Sequence, residues 1–201
     1  MGTAFYNACD YWCDKCDHAA ECPVCEETHK KGGSGDFIED VKESLDKALM
    51  MLHDMAEEFH VDLAGIADGD EEDRISRVVD TDPLVILSHD FALKAHKSLG
   101  RMRPFVTKEM REFFEDLEWY HSLVAVKTHR AARSLYEGFT EDAVDSVEVA
   151  RKSAHKCITA LTRLGEGCPG VREECAVLGR TAERIRVELD RMVPGGGKNR
   201  P

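Results

Sequence analysis

The sequence predicts an all-α protein: an antiparallel bundle of about five helices preceded by a small Cys-rich metal-binding segment. Three observations carry this. Apolar residues recur every three or four positions over long stretches, and no stretch alternates apolar and polar residues as a strand would. Five of the eight cysteines fall between Cys9 and Cys25.

Residues 1–31 are poor in aliphatic side chains, rich in Cys and aromatics, and closed by Gly32-Gly33-Ser34-Gly35, a run that makes a flexible joint. The expected organisation is a Cys-rich segment at 1–31, a linker at 32–35, a helical bundle at 36–193 and a loose tail at 194–201. Asp36 and Glu39 stand in capping-box positions before the first helix. Its stripe is Phe37, Val41, Leu45, Ala48, Leu52, Met55, Phe59 and Leu63. The acidic run from Asp68 to Asp82 reads as a loop, with Asp82 as N-cap and Pro83 opening a second helix that runs to about Leu99.

Pro104 and Thr107 introduce a third helix, whose apolar line from Met110 through Leu117 and Val124 to Leu135 ends at Gly138. Thr140 is read as the cap of a fourth, with Ala143, Val147, Ala150, Ala154, Cys157, Leu161 and Leu164 on one face. After Gly165, Gly167 and Pro169, a fifth helix carries Val171, Cys175, Leu178, Ala182, Ile185, Leu189 and Met192 in line.

With 201 residues, the chain is long enough for one domain with a core of its own and too short for two full catalytic domains. Its 42% hydrophobic and 33% charged residues fit a soluble globular protein rather than a disordered chain or a membrane protein. A net charge of −12 argues against a nucleic-acid surface, which needs clustered Lys and Arg, and suits a basic protein partner instead. No apolar run is long enough to span a membrane or to act as a secretory signal, so the expected location is the cytoplasm.

Thiolates that share a metal must converge, and two residues between cysteines let one turn present both sulfurs to one site. The front reads Cys9-x3-Cys13-x2-Cys16-x5-Cys22-x2-Cys25, with His18 nearby. In a reducing compartment disulfides are disfavoured, so the spacing points to metal. Zinc ribbons usually place a dozen or more residues between their two Cys pairs, whereas a compact iron–sulfur cube suits tight clustering. The expected cofactor is therefore a [4Fe–4S] cluster, with zinc as the alternative. Cys9, Cys13 and Cys16 also have the radical-SAM spacing, but the chain lacks the alternating strands of a barrel, and Cys22 and Cys25 stand ready to fill an open iron site.

The run Cys9-Asp10-Tyr11-Trp12-Cys13-Asp14-Lys15-Cys16, with Cys22 six residues on, resembles the N-terminus of a family of hypothetical bacterial proteins without an established activity. Asp82-Pro83, His96, Trp119-Tyr120, Lys127 and Arg130-Ala131 extend the similarity along the chain. The resemblance implies Cys9, Cys13, Cys16 and Cys22 as the ligand set, with Cys25 an extra thiol outside it.

Two Glu-x-x-His pairs, Glu57 with His60 and Glu118 with His121, raise a second metal site of the di-iron carboxylate kind. At about 100° per residue Glu57 points toward solvent and Glu118 lies about 95° off its stripe, while His121 falls close to the core direction. A buried imidazole needs a partner, and a structural hydrogen bond suffices. His129 and His155 read as surface residues, and Cys157 and Cys175 as small buried hydrophobes. Cys168 is read at the start of the fifth helix, where the helix terminus could lower its pKa.

The expected function is that of an iron–sulfur helical-bundle protein in electron transfer, or a redox accessory or sensor, without catalysis at a substrate pocket. A zinc-stabilised interaction module is the alternative. A metalloenzyme with a bundle site around His121 is a weaker one.

Overall fold

The computed structural model describes Cys9, residues 12–16, 19–22, Cys25, 45–46, 49–54, 56–58, His60 and 69–192. It is all-α, and no strand occurs among the described residues. The chain separates into two compact units, Tyr11–Glu72 and the remainder, Met1–Asp10 with Asp73–Pro201. The glycine joint at 32–35 and the tail at 194–201 lie outside the described residues.

The larger unit is built from α1 (Gly69–Asp80) from Asp73 onward, α2 (Pro83–Met102), α3 (Arg111–Glu137), α4 (Thr140–Gly167) and α5 (Arg172–Met192). The acidic run expected as a loop is α1. Ile75, Val78 and Val79 recur at helical spacing within it. Asp82 caps α2 as expected: one Asp82 carboxylate oxygen accepts from the Leu84 N–H at 2.8 Å and the Val85 N–H at 3.3 Å, with Pro83 in the first turn. α2 continues past Leu99 to Met102, and short 3₁₀ turns at Arg103–Phe105 and Lys108–Met110 carry the chain to α3.

α3 ends as the sequence foretells. Gly138 takes φ +85°, its N–H bonds back to Leu135 and Ser134 carbonyls, and α4 begins two residues later. The cap of α4 differs from expectation: Phe139 is the capping residue, Thr140 is already helical, and no side chain closes the end. α4 also runs through Gly165 to Gly167 instead of ending before them. The terminal methyl of Met110 occupies the space that a side chain at Gly167 would need.

Side-chain contacts fix the helix directions. Between α2 and α3, Arg103 meets Glu118 while His89 stacks on His129, so one helix descends as the other rises. Between α3 and α4, Asp142 meets Arg130 and Ser134, and far along the pair Lys156 meets Asp116. α4 and α5 touch at Gly165 with Arg172 and again at Arg151 with Asp190; α2 and α5 join through Ser98, Arg101 and Glu174. From α2 to α5, successive helices thus run in opposite directions. The core between them holds Phe91, Leu117, Val124, Leu161, Leu164, Ile185 and Leu189, each fully buried and worth roughly 1.5–3 kcal/mol. Alanines at 143, 150, 154 and 160 are buried along α4, small side chains that allow close packing there.

In the smaller unit, residues 49–54 and 56–58 are helical, in keeping with the expected first helix. Leu45 and Leu52, expected on its core-facing stripe, are instead exposed, at 60% and 52%. Leu49, Met50 and Met51 are exposed with them, so the described part of this helix buries no large apolar side chain.

Candidate metal centre

The thiol segment folds as consecutive tight turns. Trp12 precedes the 3₁₀ turn Cys13–Lys15, and the Cys16 N–H donates to the Cys13 carbonyl at 3.2 Å. The Ala19 N–H then donates to Cys16, and the Cys22 N–H to Ala19, through a second 3₁₀ turn at Ala19–Glu21. Residues three apart stand close along the chain in such turns, so Cys13 and Cys16 flank the first turn. Lys15 stands in the first turn with its ammonium 4.0 Å from the centre of the Trp12 ring.

Burial rises along the segment. Cys9, Cys13 and Cys16 are half-buried, whereas Cys22 and Cys25 are buried. The Cys13 thiol is pushed above its ordinary range, first by partial desolvation and then by a hydrogen bond with Cys25. The charges of Cys25, Cys22 and Cys16 act on it in the same direction. Cys25, which the family resemblance sets apart, is among the thiols that act on Cys13. Cys9 belongs with Met1–Asp10 in the larger unit.

None of the eight cysteines, all of them described, is joined in a disulfide. Among the described residues no group of three or more His, Cys, Asp or Glu side chains already stands at chelating separations. The thiols are gathered, but short of a closed coordination shell.

The second candidate site is dispersed. His121 is buried as expected, and its Nδ1–H donates to the Leu117 carbonyl at 3.0 Å. Burial holds its pKa below the ordinary value, chiefly by desolvation. Glu118 is exposed and pairs with Arg103 at 2.5 Å. Glu57 is exposed, and His60 sits in a turn with φ +54°, its N–H bonded to the Glu57 carbonyl, so that pair lacks helical geometry. His129, read as a surface residue, is half-buried and stacks on His89 with ring centres 5.9 Å apart.

The rear thiols are enclosed. Burial pushes Cys157 far up and Cys175 to about 11, and both are buried as expected. Cys168 ends α4 instead of opening α5. Its thiol lies 3.1 Å from the Phe105 carbonyl and 3.2 Å from the Met110 sulfur. A cleft of about 740 Å³ at the α3–α4 corner contains Arg130, Arg133, Glu137 and Asp142, whose guanidiniums and carboxylates already pair with one another.

No family model matches the chain, and none of the curated proteins or solved structures matches it. No helix among the described residues is long and apolar enough to cross a membrane.

Proposed function

We propose that this chain is a metal-dependent accessory protein. A thiolate-bound metal organises its Cys unit, and its acidic helical bundle docks a basic partner. The observation that carries this reading is the spacing Cys13-x2-Cys16-x5-Cys22-x2-Cys25 on a segment of consecutive tight turns. Thiolates close in the chain raise the cost of one another's formation, and a bound cation reverses that cost.

The metal decides the role. An iron–sulfur cluster would make the protein an electron carrier or redox sensor, whereas zinc would make it an interaction module with no redox chemistry. Neither role requires a substrate pocket.

Purification without air, followed by assay of iron, zinc and sulfide, tests the reading directly. The expected result is a stoichiometric metal whose removal by a chelator leaves the far-UV circular dichroism of α2 to α5 intact. A cluster would add absorption near about 400 nm. The proposal fails if reduced, metal-free protein takes up neither zinc nor iron while Cys13, Cys16, Cys22 and Cys25 alkylate as rapidly as unstructured thiols.

A further inference from the structure

We propose that the groove between α4 and α5 is a docking site for an amphipathic helix of a partner protein, one that brings carboxylates to the edge of its apolar face. The groove lies wholly within the larger unit and owes nothing to the front thiols.

Its volume is about 510 Å³. Floor and walls are Ile158, Leu161, Thr162 and Gly165 of α4 with Cys175 and Gly179 of α5. α4 follows it from Ile158 to Glu166 and α5 from Arg172 to Arg180, so at about 1.5 Å per residue it is about 12 Å long. That length takes a little over two turns of a helix, with apolar side chains at i, i+3 or i+4, and i+7.

Two glycines keep the groove open, for different reasons. A side chain at Gly165 would press on Cys175, with the Cβ atoms 3.2 Å apart, so that glycine serves the packing of α4 on α5. At Gly179 a Cβ would meet nothing within 4 Å, and the residue is helical without a left-handed φ. Glycine is the poorest helix former after proline, and nothing inside the bundle calls for one here. Its bare backbone is of use to an occupant that approaches closely from outside.

The rim fixes the chemistry of that occupant. Arg172 and Arg180 stand exposed toward the two ends of the α5 edge, and neither forms an ion pair among the described residues. Arg172 donates to the Gly165 carbonyl at 3.3 Å. Glu166, the one acid of the lining, is already held by Arg163 at 3.3 Å. Farther along α5, Arg186 and Arg191 are by contrast paired with Glu183 and Glu188. The groove edge is therefore locally positive on a chain of net charge −12. Two uncompensated guanidiniums about 12 Å apart beside an apolar floor match a helix whose carboxylates stand about eight residues apart along its apolar face. A nucleic acid is a poor match, since two arginines offer it few phosphate contacts.

The test uses the full chain and a fluorescent synthetic helical peptide of about 15 residues, with leucines at i, i+3 and i+7 and glutamates flanking them. A control peptide carries lysines in place of the glutamates. Fluorescence anisotropy is read at physiological ionic strength, where the long-range field of the acidic chain is screened. The glutamate peptide should bind at least about 10-fold more tightly than the lysine peptide. Gly179→Leu places a side chain in the groove and should weaken the glutamate peptide by about 10-fold or more, while its thermal unfolding midpoint stays at or above that of the parent. Arg172→Glu combined with Arg180→Glu should reverse the preference between the two peptides. Equal or tighter binding of the lysine peptide, binding of neither, or a Gly179→Leu that binds as the parent does overturns the proposal. So does a parent protein that sediments as a dimer which Gly179→Leu dissolves, because a second copy then occupies the groove.

Discussion

The ring of His96 lies over that of His121, with centres 5.8 Å apart and planes 22° from parallel. His121 is the buried member, and its Nδ1–H is committed to the Leu117 carbonyl. Desolvation lowers its pKa most, and His96 opposes its charging further, while the backbone carbonyl and Glu118 act the other way. The folded state therefore takes up this proton at lower pH than the unfolded chain. Stability is complete above the unfolded value near 6.5 and falls as pH drops through it toward the folded value, by at most about 1.4 kcal/mol per pH unit for one proton. Thermal unfolding measured from pH 7.5 to 5 should show this decline, and His121→Gln should flatten it; an equal slope in both proteins would assign the effect elsewhere.

Helix ends offer a second check. Asp82→Ala removes the acceptor for two α2 amides and should cost about 1 kcal/mol. Gly138→Ala meets no steric obstacle but must hold φ at +85°, so its cost, also about 1 kcal/mol, is purely conformational. Urea denaturation should show both losses with the slope m unchanged.

Two buried positions on α4 should respond in opposite directions. Leu161→Ala empties a fully buried site and should destabilise by roughly 2–5 kcal/mol. The Ser146 hydroxyl is fully buried with no hydrogen-bond partner, so Ser146→Ala removes an unsatisfied group and should stabilise by about 1 kcal/mol. Calorimetry of the two variants reads the contrast directly; a Ser146→Ala that unfolds at lower temperature would show that the hydroxyl has a partner in solution.

The thiols should divide by reactivity. At pH 8 Cys157 and Cys175 remain protonated and enclosed, so a native-state alkylating reagent followed by peptide mapping should leave both unmodified until denaturant is added. Modification of Cys175 at the rate of the half-buried Cys16 would contradict the burial of the α5 thiol.

Much of the helical unit is legible in the sequence because its signals are local. Asp82-Pro83 and Gly138 mark helix ends through their own backbone chemistry, and the apolar stripes of α3 to α5 follow a period that only a helix satisfies. The reading fails where one composition serves two purposes. The acids before Asp82 resemble a solvated loop, yet Gly69–Asp80 is helical, with Ile75 and Val79 supplying an apolar stripe at helical spacing. Thr140 looks like a cap, but the left-handed Gly138 shifts the boundary one residue earlier. At the candidate centre, the spacing of two Cys-x2-Cys pairs is visible in the chain, while the 3₁₀ turns that carry Cys13 and precede Cys22 are set by backbone hydrogen bonds that no residue type announces.

The corner between α3 and α4 spans only Gly138 and Phe139, so the two longest helices begin their contacts at minimal sequence separation and extend them outward. Closing so short a loop loses little chain entropy, and assembly in this order is fast. On the ribosome, where α3 emerges before α4 and α5, this hairpin is complete once Gly167 has cleared the exit tunnel, and it offers α5 a finished surface on which to settle.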